Sequence, residues 1–155
     1  PIVSKTSPRL GRSGMILLDT NILSEVMRKE PAVIVLNWLD AQPLEQIWVC
    51  AISRAEIFLG ITLLPEGKRR DVLNAAAIGM FTEEFHNPCL PFDALAANTY
   101  AEIVSGRRRQ GRPISVEDAQ IAAIACARGM KIATRNTSDF EDISGLDIIN
   151  PWLEH

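Results

Sequence analysis

Hydrophobic and polar positions change their period several times along this chain. Met15 to Leu18, Ile47 to Ala51, Cys89 to Phe92, Lys131 to Thr134 and Asp147 to Ile149 are short runs dominated by apolar residues. Such runs read as strands buried on both faces. Between them the spacing is helical. Helices are predicted over Thr20–Arg28, Pro31–Ala41 (Val35, Leu36 and Leu39 inward), Ser53–Leu64, Glu66–Phe85, Asp93–Gln110 and Ser115–Gly129, with a short helical turn at Ser138. Their limits follow from local chemistry. Pro31 suits a first helical position, Pro65 and Pro88 stop helices, Asp93 and Ser115 can cap, and Gly111 and Gly129 terminate. Strands alternating with helices predict an α/β fold, with a short central parallel sheet of about five strands flanked by helices. No internal repeat, low-complexity segment or domain linker interrupts it.

Composition changes this picture little. The 155 residues are 47% hydrophobic and 23% charged, enough for one domain with a real core. No apolar run approaches the roughly 20 residues of a membrane helix. The net charge of −3 gives no global attraction to nucleic acid, so any such contact must be local. Cys50, Cys89 and Cys126 are isolated and form neither a disulfide framework nor a zinc motif, which points to the cytoplasm and to packing as small hydrophobes. Residues 1–14 are polar and aperiodic and are expected to be a flexible or vector-derived tail. Residues 15–152 form the domain, and 153–155 resemble a tag remnant.

The candidate chemistry lies in four acids, each placed where an apolar run meets a turn or a new helix: Asp19, Glu56, Asp118 and Asp139. Each also has a plain structural reading. Ser53-x-x-Glu56 fits a capping box and Ser115-x-x-Asp118 resembles one; Asp19 can cap a helix and Asp139 can sit in a turn. Spacing favours more. Asp118 shares a helical stripe with Ile121, Ala122 and Ala125, and Glu56 aligns with Leu59, Gly60 and Leu63. A carboxylate at the end of an apolar stripe is partly desolvated and needs a partner. If the runs are parallel strands, the acids meet at the sheet edge where α/β proteins bind ligands. A hard divalent cation, Mg²⁺ or Mn²⁺, would relieve their repulsion.

Other chemistries find less support. His86 is the only internal histidine and ends a polar helix, so a Ser-His-Asp or Cys-His apparatus has little to build on. No Gly-rich phosphate loop, CxxC or HExxH is present. A phosphatase with Asp19 as nucleophile would want a second Asp where Asn21 stands. Carboxylate-bound metal chemistry remains, and phosphate esters are its usual substrates. Arg107-Arg108-Arg109 with Arg112 is the densest basic cluster. It either complements a helix C-terminus or guides a polyanion. Arg135, beside a strand end, is the better phosphate contact.

Met15-Ile16-Leu17-Leu18-Asp19-Thr20-Asn21, Ile52 to Gly60, Asp118-Ala119-Gln120-Ile121-Ala122-Ala123, Ala133-Thr134-Arg135-Asn136 with Asp139-Phe140, and Asn150-Pro151-Trp152 together resemble a PIN-domain toxin of the VapC/FitB type, the ribonuclease of bacterial toxin–antitoxin pairs. The resemblance covers Met15 to Trp152. It implies a PIN-like three-layer fold and a Mg²⁺- or Mn²⁺-dependent endoribonuclease whose products carry a 3′-hydroxyl and a 5′-phosphate. Asp19 and Asp118 match the metal ligands. Glu56 matches the acid that orients water, and Asp139 the fourth catalytic acid. Some relatives have Asp where this chain has Asn136, so either position completes the set. Thr134 and Asn136 would then either support the acids or contact substrate, beside Arg135 as a substrate contact. The implied partners are RNA, a cognate antitoxin and a second copy of the chain, with DNA reached only through the antitoxin and no membrane. The alternative is a PIN-like binding module without significant nuclease activity, acting through its antitoxin–DNA complex.

Overall fold

The computed structural model describes residues 14–153; apart from Gly14 and Leu153, the expectations for the two ends lie outside them. Its centre is a four-stranded, all-parallel sheet in the order β2-β1-β3-β4. The strands are β1 (Ile16–Leu18), β2 (Ile47–Trp48), β3 (Lys131–Ala133) and β4 (Ile148–Ile149). Among the described residues six α-helices flank it: α1 (Thr20–Val26), α2 (Val33–Asp40), α3 (Ala51–Thr62), α4 (Lys68–Gly79), α5 (Ala94–Arg109) and α6 (Val116–Ala127). This is the three-layer α/β arrangement the alternation predicts.

Strand pleating divides the core in two. Side chains alternate across a strand, so Leu17 enters one layer while Ile16 and Leu18 enter the other. Leu17 and Ile132 pack with Ile121, Ile124, Ile103, Phe140 and Ile143. Ile16, Leu18, Ile47 and Ala133 pack with Ile22, Leu23, Val35, Ile57, Ile61 and Met80. The alanine-rich α6 lies between the sheet and α5, and its run Ala119 to Ala125, Gln120 excepted, is buried. Small side chains permit that close approach. Gly111 (φ 70°) and Gly129 (φ 66°) follow α5 and α6 in the left-handed conformation that closes helices.

Several expectations change: Pro31 lies before α2, whose N-cap is Ala32, and the strand expected over Ile47–Ala51 ends at Trp48. The strand expected at Cys89–Phe92 reduces to a single bridge, Cys50 with Leu90. Pro88 and Pro91 flank it and lack the N–H donors a ladder needs; Leu90 alone pairs, donating to Val49 and accepting from Ala51. Helix α3 begins at Ala51, so Ser53 is not its cap but a buried residue within its first turn. The Asp93 and Ser115 caps form as expected, each accepting from a main-chain N–H three residues on. No helix among the described residues is long and apolar enough to cross a membrane.

Candidate active site

Parallel topology sets the carboxyl ends of β1 and β3 side by side, with the N–H of Asp19 bonded to the carbonyl of Ala133. Asp19 is therefore the first residue past β1 and Thr134 the first past β3. Asp19 is only 4% exposed. Its Oδ1 accepts from the Thr20 N–H at 2.8 Å, and its Oδ2 from Thr134 Oγ1 at 2.7 Å and Asn21 Nδ2 at 3.2 Å. Burial pushes its pKa up to about 6; the Thr134 and Thr20 hydrogen bonds oppose the rise, and the Asp118 and Glu56 charges add to it.

Asp118 enters from the first turn of α6, with its N–H donating to the Ser115 hydroxyl at 3.2 Å. Burial raises its pKa, a Ser115 hydrogen bond opposes, and the charges of Asp139, Glu56 and Glu117 raise it further. Its stripe is buried as expected, with Ile121, Ala122 and Ala125 inaccessible.

Glu56 reaches the site differently from the expectation. Leu59 and Leu63, its predicted stripe partners, are 59% and 75% exposed, and the buried face of α3 is Ser53, Ile57 and Ile61. Glu56 borders that face. Thr20 Oγ1 donates to its Oε1 at 2.6 Å and lies 3.0 Å from Ser53 Oγ. A hydroxyl on α1 thus aims the carboxylate.

Asp19, Glu56 and Asp118 line one cleft of about 460 Å³, together with Asn21, Arg28, Arg135, Asn136 and Trp152. Asp139 is not in it. It ends the short helical turn Thr137–Asp139 and shares a neighbouring cleft with Asp118, Ser115, Arg107 and Arg112. Asp118 is thus common to both clefts, and the four acids form a chain rather than a cage. The basic cluster divides similarly. Arg107 turns inward, 4% exposed, and donates to the main-chain oxygens of Asp139 at 2.6 Å and Arg112 at 3.3 Å. Arg112 pairs with Asp142, while Arg108 and Arg109 are exposed.

Thr134 is fully buried and works as a junction. Besides donating to Asp19 it accepts from Asn21 Nδ2 and the Asn136 N–H. It orients the acid and cannot touch a substrate, so its place among substrate contacts is corrected. Arg135 and Asn136 are exposed at the cleft. Thr20, Asn21 and Trp152 were not singled out as site residues. Asn21 had a readable signal: two positions past Asp19, in the first turn of a helix, its amide is within reach of the capping carboxylate.

Among the described residues no three His, Cys, Asp or Glu side chains converge tightly enough to cage a metal ion. The donor set still suits Mg²⁺, which keeps much of its hydration and is held by one or two carboxylates. Asp19 and Asp118 supply two, and both are raised in pKa chiefly by burial, with neighbouring carboxylates adding to the rise, the condition a cation relieves.

The chain matches the PIN domain family over residues 16–146. It is 46% identical over 138 residues to the plasmid stability protein StbB of Pseudomonas syringae, covering 89% of this chain and 99% of the relative. It is 43% identical over 138 residues to a VapC ribonuclease of Sinorhizobium fredii, covering 89% and 98%. A solved structure of FitAB bound to a DNA fragment superposes with a TM-score of 0.81 at 41% identity, over 91% of this chain and 99% of that one.

Proposed function

The chain belongs to the PIN domain family, in its VapC/FitB toxin branch, and from this premise we propose that it is a divalent-metal-dependent endoribonuclease that an antitoxin holds silent. The observation that carries the reading is the convergence of Asp19, Glu56 and Asp118 on one cleft at the strand ends.

Asp19 and Asp118 would hold Mg²⁺ or Mn²⁺. The chemistry such an ion supplies is neutralisation of a phosphate oxygen and acidification of water. The chain's own residues do the rest. Thr134, Thr20 and Asn21 fix the Asp19 carboxylate through three hydrogen bonds, so little reorganisation remains when substrate arrives. Glu56, aimed by Thr20, would orient the attacking water and take up its proton. Asp139, tied at its carbonyl by Arg107, adds negative charge beside Asp118 from the neighbouring cleft. Arg135 and Arg28 stand at the cleft and supply the local positive charge that the net balance lacks. Free Cys50, Cys89 and Cys126 suit a reducing cytoplasm.

The antitoxin has a surface to bind. A groove of about 890 Å³ between α1, α3 and α4 opens onto the acidic cleft, sharing Thr20, Ser24, Arg28 and Glu56 with it. An arginine of the partner, delivered from that groove, would pair with the cleft carboxylates in place of a cation. DNA contact belongs to that partner. The exposed Val33, Leu59, Leu63 and Ile78 support association of two copies of the chain.

Purified protein should cleave single-stranded RNA with Mg²⁺ or Mn²⁺, leave 5′-phosphate ends and stop in EDTA. Metal-independent cleavage leaving cyclic phosphate would reject the mechanism. No cleavage of any RNA would favour the binding-module reading.

A further inference from the structure

One wall of the acidic cleft is aromatic. Trp152 sits in the turn after β4, where its main-chain N–H donates to Asn150 Oδ1 at 2.9 Å. Part of the indole packs on the core beneath α1 and α3, and the residue lines the cleft of Asp19, Glu56 and Asp118. Arg135 lies over it, with its guanidinium carbon 4.9 Å from the ring centroid. The three ion pairs found among the described residues do not include Arg135, although acids line the same cleft. The stack is also held at a set distance from the acids. The Arg135 N–H donates to Asn21 Oδ1, and the amide of the same Asn21 donates to Asp19.

We propose that the Arg135–Trp152 stack is a seat for one unpaired nucleobase of the RNA strand. This rests on the ribonuclease reading above and names how that cleft grips its substrate. Bases splayed from a single strand stack on aromatic rings and on arginine planes. A guanidinium resting on indole has one face covered and the other open, and its charge is free to meet the adjoining phosphate. A base on the stack leaves the next phosphate to enter between Asp19 and Asp118. Paired bases cannot reach the seat, so the site selects unpaired RNA. Every base has a π face, so the stack itself discriminates weakly among the four.

The test is binding in the Asp19→Asn background, which keeps the strand uncut. The probes are a labelled RNA single strand of about twelve nucleotides and an abasic ribose-phosphate strand of equal length, read by fluorescence anisotropy. Trp152→Leu and Arg135→Lys are each expected to weaken binding of the RNA at least about fivefold and leave the abasic strand unchanged. Trp152→Phe should restore most of the loss. Equal weakening on both strands, or none on either, would overturn the seat. Arg135 is exposed, so Arg135→Lys decides the question even if Trp152→Leu fails to fold. The two readings fail separately. A wild-type protein that cuts RNA with the same KM as Trp152→Leu and Arg135→Lys rejects the seat alone. One that cuts nothing but still prefers RNA to the abasic strand supports the seat and rejects the nuclease.

Discussion

Thr134 Oγ1 donates to Asp19 Oδ2 across 2.7 Å, and both side chains are buried at the adjoining ends of two parallel strands. The same hydroxyl accepts from Asn21 and from the Asn136 main chain. Thr134→Val keeps the shape but leaves these groups unpaired, and should destabilise the protein by about 1–3 kcal/mol in urea melts. Thr134→Ser keeps the hydroxyl and should lose far less. Equal stability of the Val and Ser variants would show that the bond contributes little.

Asp19 also sets a pH dependence. Its folded pKa of about 6 stands above the ordinary 3.8, so the folded state binds this proton more tightly than the unfolded state. Its ionisation therefore lowers stability as pH rises from about 4 to 6, and the penalty persists above that. A pKa of about 6 in place of 3.8 corresponds to a penalty on the order of 2–3 kcal/mol. Asp19→Asn should flatten that part of the stability–pH curve and match or exceed the wild type at pH 7. A gap between the wild-type and Asp19→Asn curves that stays constant through this window would contradict the assignment.

A divalent cation should reverse the same penalty. Mg²⁺ or Mn²⁺ at ten times its dissociation constant should stabilise the fold by about 1.4 kcal/mol, by mass action. Thermal melts in metal and in EDTA read this directly. The shift should shrink in Asp118→Asn. An equal shift in that variant would place the ion elsewhere.

The parts of this molecule legible in its sequence are those where a residue's neighbours along the chain decide its surroundings. Ile16 to Leu18 is continuous and apolar because a central parallel strand is covered on both faces; Asp19 at its end was visible for that reason. The stripe carrying Asp118 was legible because α6 is buried by the sheet and by α5. On α3 two apolar stripes compete, Leu59–Leu63 and Ile57–Ile61, and periodicity cannot say which one the sheet covers. The structure buries the isoleucines and leaves the leucines exposed. Cys89–Phe92 resembles a strand by composition, but its prolines remove the donors. Least legible was Arg107. Arg107 falls on the buried stripe of α5, four residues after Ile103, but its partners are main-chain atoms, and the Asp139 carbonyl lies far along the chain, so the sequence does not show what an inward arginine would hold. The chain-like arrangement of the four acids is likewise a tertiary fact.

The central claim is that the Asp19 cleft cuts RNA, and single-turnover cleavage by matched variants tests it most directly. With Mg²⁺ and one single-stranded RNA, Asp19→Asn and Asp118→Asn should each fall by about a hundredfold or more, as expected when a carboxylate that holds the cation is removed and the several kcal/mol of charge stabilisation it supplies is weakened. Glu117→Gln, altering an exposed acid next to Asp118 on the wet side of α6, should cleave like the wild type. If Asp19→Asn retains wild-type cleavage after contaminating nuclease is excluded, the cleft is not the active site.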